Sequence, residues 1–158
     1  TITALTHGQL KELQDREIVQ LELFDERNIF EITDPEDPEL RYCLCKNPNS
    51  AKDESATRER LIELTIAGLE QIAVYKQATT TEKLGARVGR LLEKYKMGKF
   101  IDWEIIPADG PARSRDHQLQ WMLNEEKRDA EAALDGCYII RTDVFAERMT
   151  SDQVVVTG

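Results

Sequence analysis

Glu131-Ala132-Ala133-Leu134-Asp135-Gly136-Cys137-Tyr138-Ile139-Ile140-Arg141-Thr142 is the stretch on which the reading of the fold turns. Its alanines and leucine close a helix that Asn124 is placed to cap and that runs from about Glu125 to Leu134. Gly136 then stands at the C′ position, where a residue without a Cβ enters the left-handed region cheaply. The run Cys137 to Thr142 is apolar and β-branched enough to read as a strand. Beyond it, Thr150 or Ser151 caps a further helix, of which Asp152 to Val156 is the start. Helix, stop, strand and helix in one segment predict an α+β protein.

Working outward, Phe100 to Ile106 and Gln118 to Leu123 read as strands on either side of the turn-rich Pro107-Ala108-Asp109-Gly110-Pro111, with Trp103 and Trp121 as cross-strand neighbours. Ahead of them lie two long helical patterns. Ala51 to Gln77 carries Leu61, Ile62, Ile66, Leu69, Ile72 and Ala73 at helical spacing, and Thr79-Thr80-Thr81-Glu82 breaks it and caps a second helix reaching about Lys96. Leu84, Val88, Leu91, Leu92 and Tyr95 form the second stripe, so the two helices are expected to pack as an antiparallel hairpin. Asn47-Pro48-Asn49-Ser50 opens the first of them. Earlier still, Asn28 to Thr33 and Leu40 to Lys46 read as paired strands across Asp34-Pro35-Glu36-Asp37-Pro38. Leu21, Leu23 and Phe24 suggest a strand or irregular apolar segment. Thr6 or His7 opens a short helix with Leu10 and Leu13, and Thr1 to Leu5 alternates as though the stretch began within a strand.

With 158 residues and 41% hydrophobic content, one ordinary domain with a usable core is the default. No apolar run approaches a membrane helix and no signal peptide opens the chain, so a soluble, cytoplasmic protein without membrane partners is expected. Three cysteines, Cys43 and Cys45 close together and Cys137 distant, are too few and too irregular for a secreted disulfide framework. The net charge of −9 argues against a general nucleic-acid-binding surface. That total is uneven. From Leu10 to Glu39 eleven acids face three bases, whereas from Lys76 to Lys99 seven bases face two acids.

Few motifs carry chemistry. Cys43 and Cys45 share one face of a strand and would supply half a zinc site, but His7, His117 and Cys137 lack the spacing that completes one, and buried strand cysteines are the simpler reading. Asp135, Asp143 and Glu147 invite assembly into a carboxylate trio for divalent metal. Local turn bonding explains Asp135 more simply, and the other two fall in a loop. No phosphate loop, nucleophile elbow or hydrolase triad phrase is present. Arg87, Arg90 and Lys94 differ in kind: their spacing of three, four and seven stacks them on one side of a helix whose leucines occupy another. Such cations neutralise phosphates regardless of sequence, so they are the candidate DNA-binding residues. The plainer reading is a solvated face paired with the acidic N-terminal part of the chain.

The phrase from Ala132 to Thr142 resembles a segment of bacterial insertion-sequence transposases of the IS-four superfamily, whose RNase H-like core carries an Asp, Asp, Glu triad. Leu23-Phe24-Asp25-Glu26, Cys45-Lys46-Asn47-Pro48, and Leu84-Gly85-Ala86-Arg87-Val88-Gly89-Arg90 followed by Lys94-Tyr95-Lys96 are similar to that family in the same order, and Met149-Thr150-Ser151-Asp152-Gln153-Val154-Val155 is similar to the approach to its glutamate signature. The resemblance implies a long helical hairpin with short antiparallel strands, inserted between the second Asp and the final Glu. Residues 1–135 would be the insertion region and residues 136–158 the return toward the catalytic core. The second Asp would lie before Thr1 and the Glu after Gly158, so no catalytic or metal-ligating residue is carried onto this chain. The whole enzyme would use Mg or Mn to cleave and transfer DNA strands, acting on transposon ends and as a homodimer in a synaptic complex; this piece would hold no cofactor and be inactive alone. Two other readings compete: a helical protein-interaction module with no nucleic-acid role, and a complete hydrolase using its own acids.

Overall fold

The computed structural model describes residues 2–16, 29–143 and 150–157. The Leu21, Leu23 and Phe24 cluster, Leu23-Phe24-Asp25-Glu26, Glu147 and Met149 lie outside them. The protein is α+β, and its elements run β1 (Ile2–Ala4), α1 (His7–Asp15), β2 (Ile29–Asp34), β3 (Asp37–Lys46), α2 (Pro48–Ala73), α3 (Thr81–Tyr95), β4 (Ile101–Ile106), β5 (Gln118–Leu123), α4 (Glu125–Ala132), β6 (Cys137–Thr142) and α5 (Ser151–Thr157). Two compact units form, one from Thr1–Glu54 with Ala133–Gly158, the other from Ser55–Ala132.

The first unit is a four-stranded antiparallel sheet in the order β1-β6-β3-β2. β2 and β3 are the expected hairpin, turned by Pro35 and Glu36 between Asp34 and Asp37. Asp34 fixes that turn by accepting the Glu36 backbone N–H at 2.9 Å, as turn aspartates do. What the hairpin alone does not reveal is that β3 is central: it pairs on its other side with β6, from Arg41 opposite Thr142 to Lys46 opposite Cys137. Five consecutive residues, Arg41 to Cys45, are buried, because both faces of β3 are covered. On one face Tyr42 and Leu44 pack with Leu10 and Leu13 of α1 and with Leu134 and Ile139. On the other, Cys43 and Cys45 pack with Ile140 and with Val154 of α5.

Caps fall where short polar side chains stand ahead of apolar periodicity. Thr6 and Gln9 exchange side-chain and backbone bonds at the start of α1, a reciprocal capping box. Asn47 caps α2, its Oδ1 accepting from Asn49 N at 3.0 Å and Ser50 N at 3.3 Å, with Pro48 following where its missing N–H costs nothing. Thr150 accepts from Gln153 N ahead of α5.

The central junction differs from its expected form. α4 ends at Ala132, two residues early, and Ala133–Gly136 is a turn that sends Leu134 into the sheet's core. Gly136 thus takes its positive φ of 71° in that turn, not as the residue ending the helix. A Cβ there would meet Asn47 O at 2.4 Å, Ala51 Cβ at 2.8 Å and Ala51 N at 2.9 Å, so side chains are barred by space as well as by conformation. The close approach is bonded: Asn47 N donates to Gly136 O at 2.9 Å, and Gly136 N donates to Glu54 Oε2 at 3.1 Å.

A polar lock ties α5 to the hairpin. Arg41 grips Glu31 with two parallel bonds, Nε to Oε1 at 2.9 Å and Nη2 to Oε2 at 2.8 Å, and Ser151 Oγ donates to the same carboxylate. The bonds from Arg41 hold the Glu31 carboxyl below its usual range, against the opposing effect of burial.

The second unit is a helical hairpin and a β-hairpin. α2 and α3 pack side by side, Leu69 against Val88 and Leu92 and, farther along, Ile62 against Met97 and Phe100, the order an antiparallel pair requires. Gly68 lets them approach, since a Cβ on it would lie 2.5 Å from Leu91 Cδ1. β4 and β5 pair with Trp103 opposite Trp121, as expected, and their Trp121, Leu119 and Leu123 face joins the helical core. Asn124 caps α4 by accepting from Lys127 N at 3.0 Å and donates to Asp102 Oδ2 at 3.1 Å.

Two outcomes follow. Gly136→Ala should lose roughly 2–4 kcal/mol in urea unfolding, and Gly136→Asn, which tolerates a positive φ but not the contact with Asn47 O, should lose a comparable amount. Glu31 contributes stability above its unfolded pKa of about 4.3, and that contribution disappears as pH falls through the lower folded value. Glu31→Gln should therefore be clearly less stable than wild type near about pH 7 and close to it near about pH 3; a deficit of equal size at both pH values would show that the charge is not responsible.

Candidate nucleic-acid interface

α3 owes its two faces to a simple sequence device, leucine and valine at one angle and basic residues at another. Thr80 caps it through Lys83 N at 3.3 Å, and Glu82 lies in the first turn, where a negative charge suits the helix dipole. Hydrogen bonds from its own backbone and from Thr80 hold the Glu82 carboxyl low. With Leu84, Val88 and Leu92 buried, the helix cannot rotate, and the basic side chains are left on the outer side.

Arg87, Arg90 and Lys94 occupy that side, Arg90 and Lys94 exposed and Arg87 partly covered. Their contacts are with neutral groups. The Arg87 guanidinium lies over the Tyr75 ring, 4.0 Å from its centroid. Arg90 Nε donates to Ala86 O at 3.3 Å, and Lys94 Nζ sits 5.1 Å from the Tyr95 ring centroid. Among the described residues none of the three has a carboxylate within ion-pair distance, whereas neighbouring Lys96 pairs with Glu93 and Lys99 with Glu131 at 2.7 Å.

Arg87 and Arg90 also border an open cleft of about 480 Å³ between α2 and α3. Its apolar lining is Gly68, Ile72 and Leu91; its polar lining is Gln71 and Tyr75 with the two arginines. Lys94 is not part of it. The structure thus splits the three candidates into an arginine pair with a cavity and a lysine farther along the same helix.

Tyr75 and Gln71 were missed by sequence reasoning. α2 ends at Ala73, short of the expected Gln77, and Tyr75 N closes a tightened turn on Ile72 O at 3.2 Å. That places the ring in the connection between the helices, where no spacing rule relates it to Arg87. The adjoining loop is held by a short bridge between Thr79 and Ser114 and by His117, whose Nδ1 accepts from Ala108 N at 2.9 Å while Nε2 faces Ala112 O at 2.8 Å.

The thiols and acids weighed as metal ligands are placed differently. Cys43, Cys45 and Cys137 are free and buried. Burial pushes all three thiols up, Cys45 to about 11, which disfavours the thiolate that a zinc ion or an electrophile needs. Asp135 is buried beside the Gly136 turn, Asp143 follows β6, and among the described residues no three His, Cys, Asp or Glu side chains converge. No helix among the described residues is long and apolar enough to cross a membrane. The chain matches no family model, no curated protein and no solved structure.

Titration of the native protein with a thiol-specific disulfide reagent at neutral pH should proceed no faster than unfolding, and addition of urea should release all three thiols. A thiol that reacts stoichiometrically within seconds in the native state would contradict the placement of these side chains.

Proposed function

We propose that this chain is part of a DNA transposase, the region inserted between the second Asp and the final Glu of an RNase H-like core, and that α3 contacts the phosphate backbone of transposon-end DNA. The observation that carries the DNA contact is the set of three cations on one helix face whose described partners are rings and a carbonyl, so that their charge is not already neutralised. Arginine and lysine in that state bind phosphates by releasing condensed counterions, without reading sequence.

The order of the phrases from Cys45-Lys46-Asn47-Pro48 to Leu134-Asp135-Gly136 supports the transposase reading, and so does the path of the chain. It leaves the sheet after β3 and, following the second unit, returns to β6, the neighbour of β3. In the whole cytoplasmic enzyme, carboxylates of the flanking polypeptide hold Mg or Mn for strand cleavage and transfer, and two copies meet in a synaptic complex. This piece shapes the DNA contact and performs no chemistry of its own.

Duplex DNA binding should be salt-dependent, and replacing Arg87, Arg90 and Lys94 together by alanine should reduce the slope of log K against log[salt] by about 2.7, or about 0.9 per phosphate contact. The triple glutamate variant should not bind. If that variant binds as wild type does, α3 is removed from the interface and the helical hairpin is better read as a protein-interaction module.

A further inference from the structure

Resting on the DNA-contact reading above, we infer that Tyr75 is a positioning residue of the interface: its ring holds the Arg87 guanidinium flat so that, with Arg90, it presents a fixed two-arginine seat for a single phosphodiester at the cleft. The two arginines then differ in role from Lys94, which contributes charge alone.

The argument begins with what fixes the ring. Tyr75 is anchored at both ends, its backbone N bonded to Ile72 O at 3.2 Å and its hydroxyl donating to Gln77 Oε1 at 2.6 Å. A guanidinium stacked 4.0 Å above that ring has one face occupied, while its N–H groups lie in the plane and remain free to donate. Arg90 is restrained from the other side by the bond from its Nε to Ala86 O, which leaves its terminal nitrogens uncommitted. Both arginines line the same cleft, together with the Gln71 amide.

Two like charges a helical turn apart repel, and an anion between them removes the repulsion. A planar fork matches phosphate oxygens two at a time, which an ammonium group does not. An arginine already held in place gives up less side-chain freedom on binding, so the ring raises affinity without touching DNA. Lys94 lies outside the cleft and has no such restraint beyond its 5.1 Å contact with Tyr95.

The test is a double-mutant cycle on binding of a fluorescein-labelled DNA duplex, read by anisotropy over a range of salt, with folding of each variant checked by circular dichroism. Tyr75→Leu should weaken binding about three-fold to five-fold with an unchanged salt slope, because no charge is lost. Tyr75→Phe, which keeps the ring, should stay within about two-fold of wild type. In an Arg87→Ala background, Tyr75→Leu should have no further effect. Three results would overturn the inference. Loss on Tyr75→Leu that persists in the Arg87→Ala background would mean that the ring contacts DNA itself. Wild-type affinity in Tyr75→Leu, with Arg87→Ala still weakened, would end the positioning role while leaving the DNA contact standing. Absence of binding by the unmodified chain would end both.

Discussion

The backbone contact between Gly136 and the start of α2 is the constraint on which the architecture depends. Two distant parts of the sequence meet there with no side chain between them: the carbonyl of Asn47 faces the position where a Cβ of residue 136 would stand. Around that contact Asn47 performs three tasks, continuing the β3–β6 ladder through its N–H, accepting from Ala51 through its carbonyl and capping α2 through its side chain. The departure of the chain from the sheet and its return are therefore set at one place, and the register of β3 against β6 follows from it. With β6 in register, Ile139 and Ile140 point to opposite faces, and each finds its own cluster.

In the second unit a different glycine sets the geometry. Gly68 brings α2 and α3 together at Leu91, and the space left beside that approach is the cleft. The leucines hold the helix rotation, the rotation aims the arginines, and Tyr75 takes up the face of one of them. Packing and charge are thus coupled on α3: the residues that make its core are also those that determine where its cations point.

Much of this was legible in the sequence where a signal is local. Periodicity gave the two long helices and their facing stripes, Pro35 gave the β2–β3 turn, and alternation placed Trp103 across from Trp121. Asn124 and Thr150 were visible as caps because capping needs only a short acceptor at a fixed offset. Long-range pairing was not. β3 and the strand after it in the hairpin order have no sequence feature that names β6 as the other neighbour, although the uninterrupted apolar character of Tyr42 to Cys45 is what a strand covered on both faces requires. The Glu31, Arg41 and Ser151 lock was hidden for the same reason, since its members lie on three elements. The end of α4 was misplaced because alanine and leucine favour continuing a helix, and only the burial of Leu134 against the sheet shows why the chain stops. Of the candidate site, the three cations were legible from spacing alone, while Tyr75 was not, because a contact across a loop has no period.

The position of β6 has a consequence for synthesis. As the chain emerges from the ribosome, β3 is complete long before Cys137 to Thr142 exists, so the edge it will share with β6 stands open while the whole helical hairpin is being made. That edge carries Tyr42, Cys43, Leu44 and Cys45, residues of the kind that recruit foreign strands when left unpaired. The nascent protein therefore passes through an interval of exposure to aggregation, ended only when its last strand arrives to occupy the vacancy between β1 and β3.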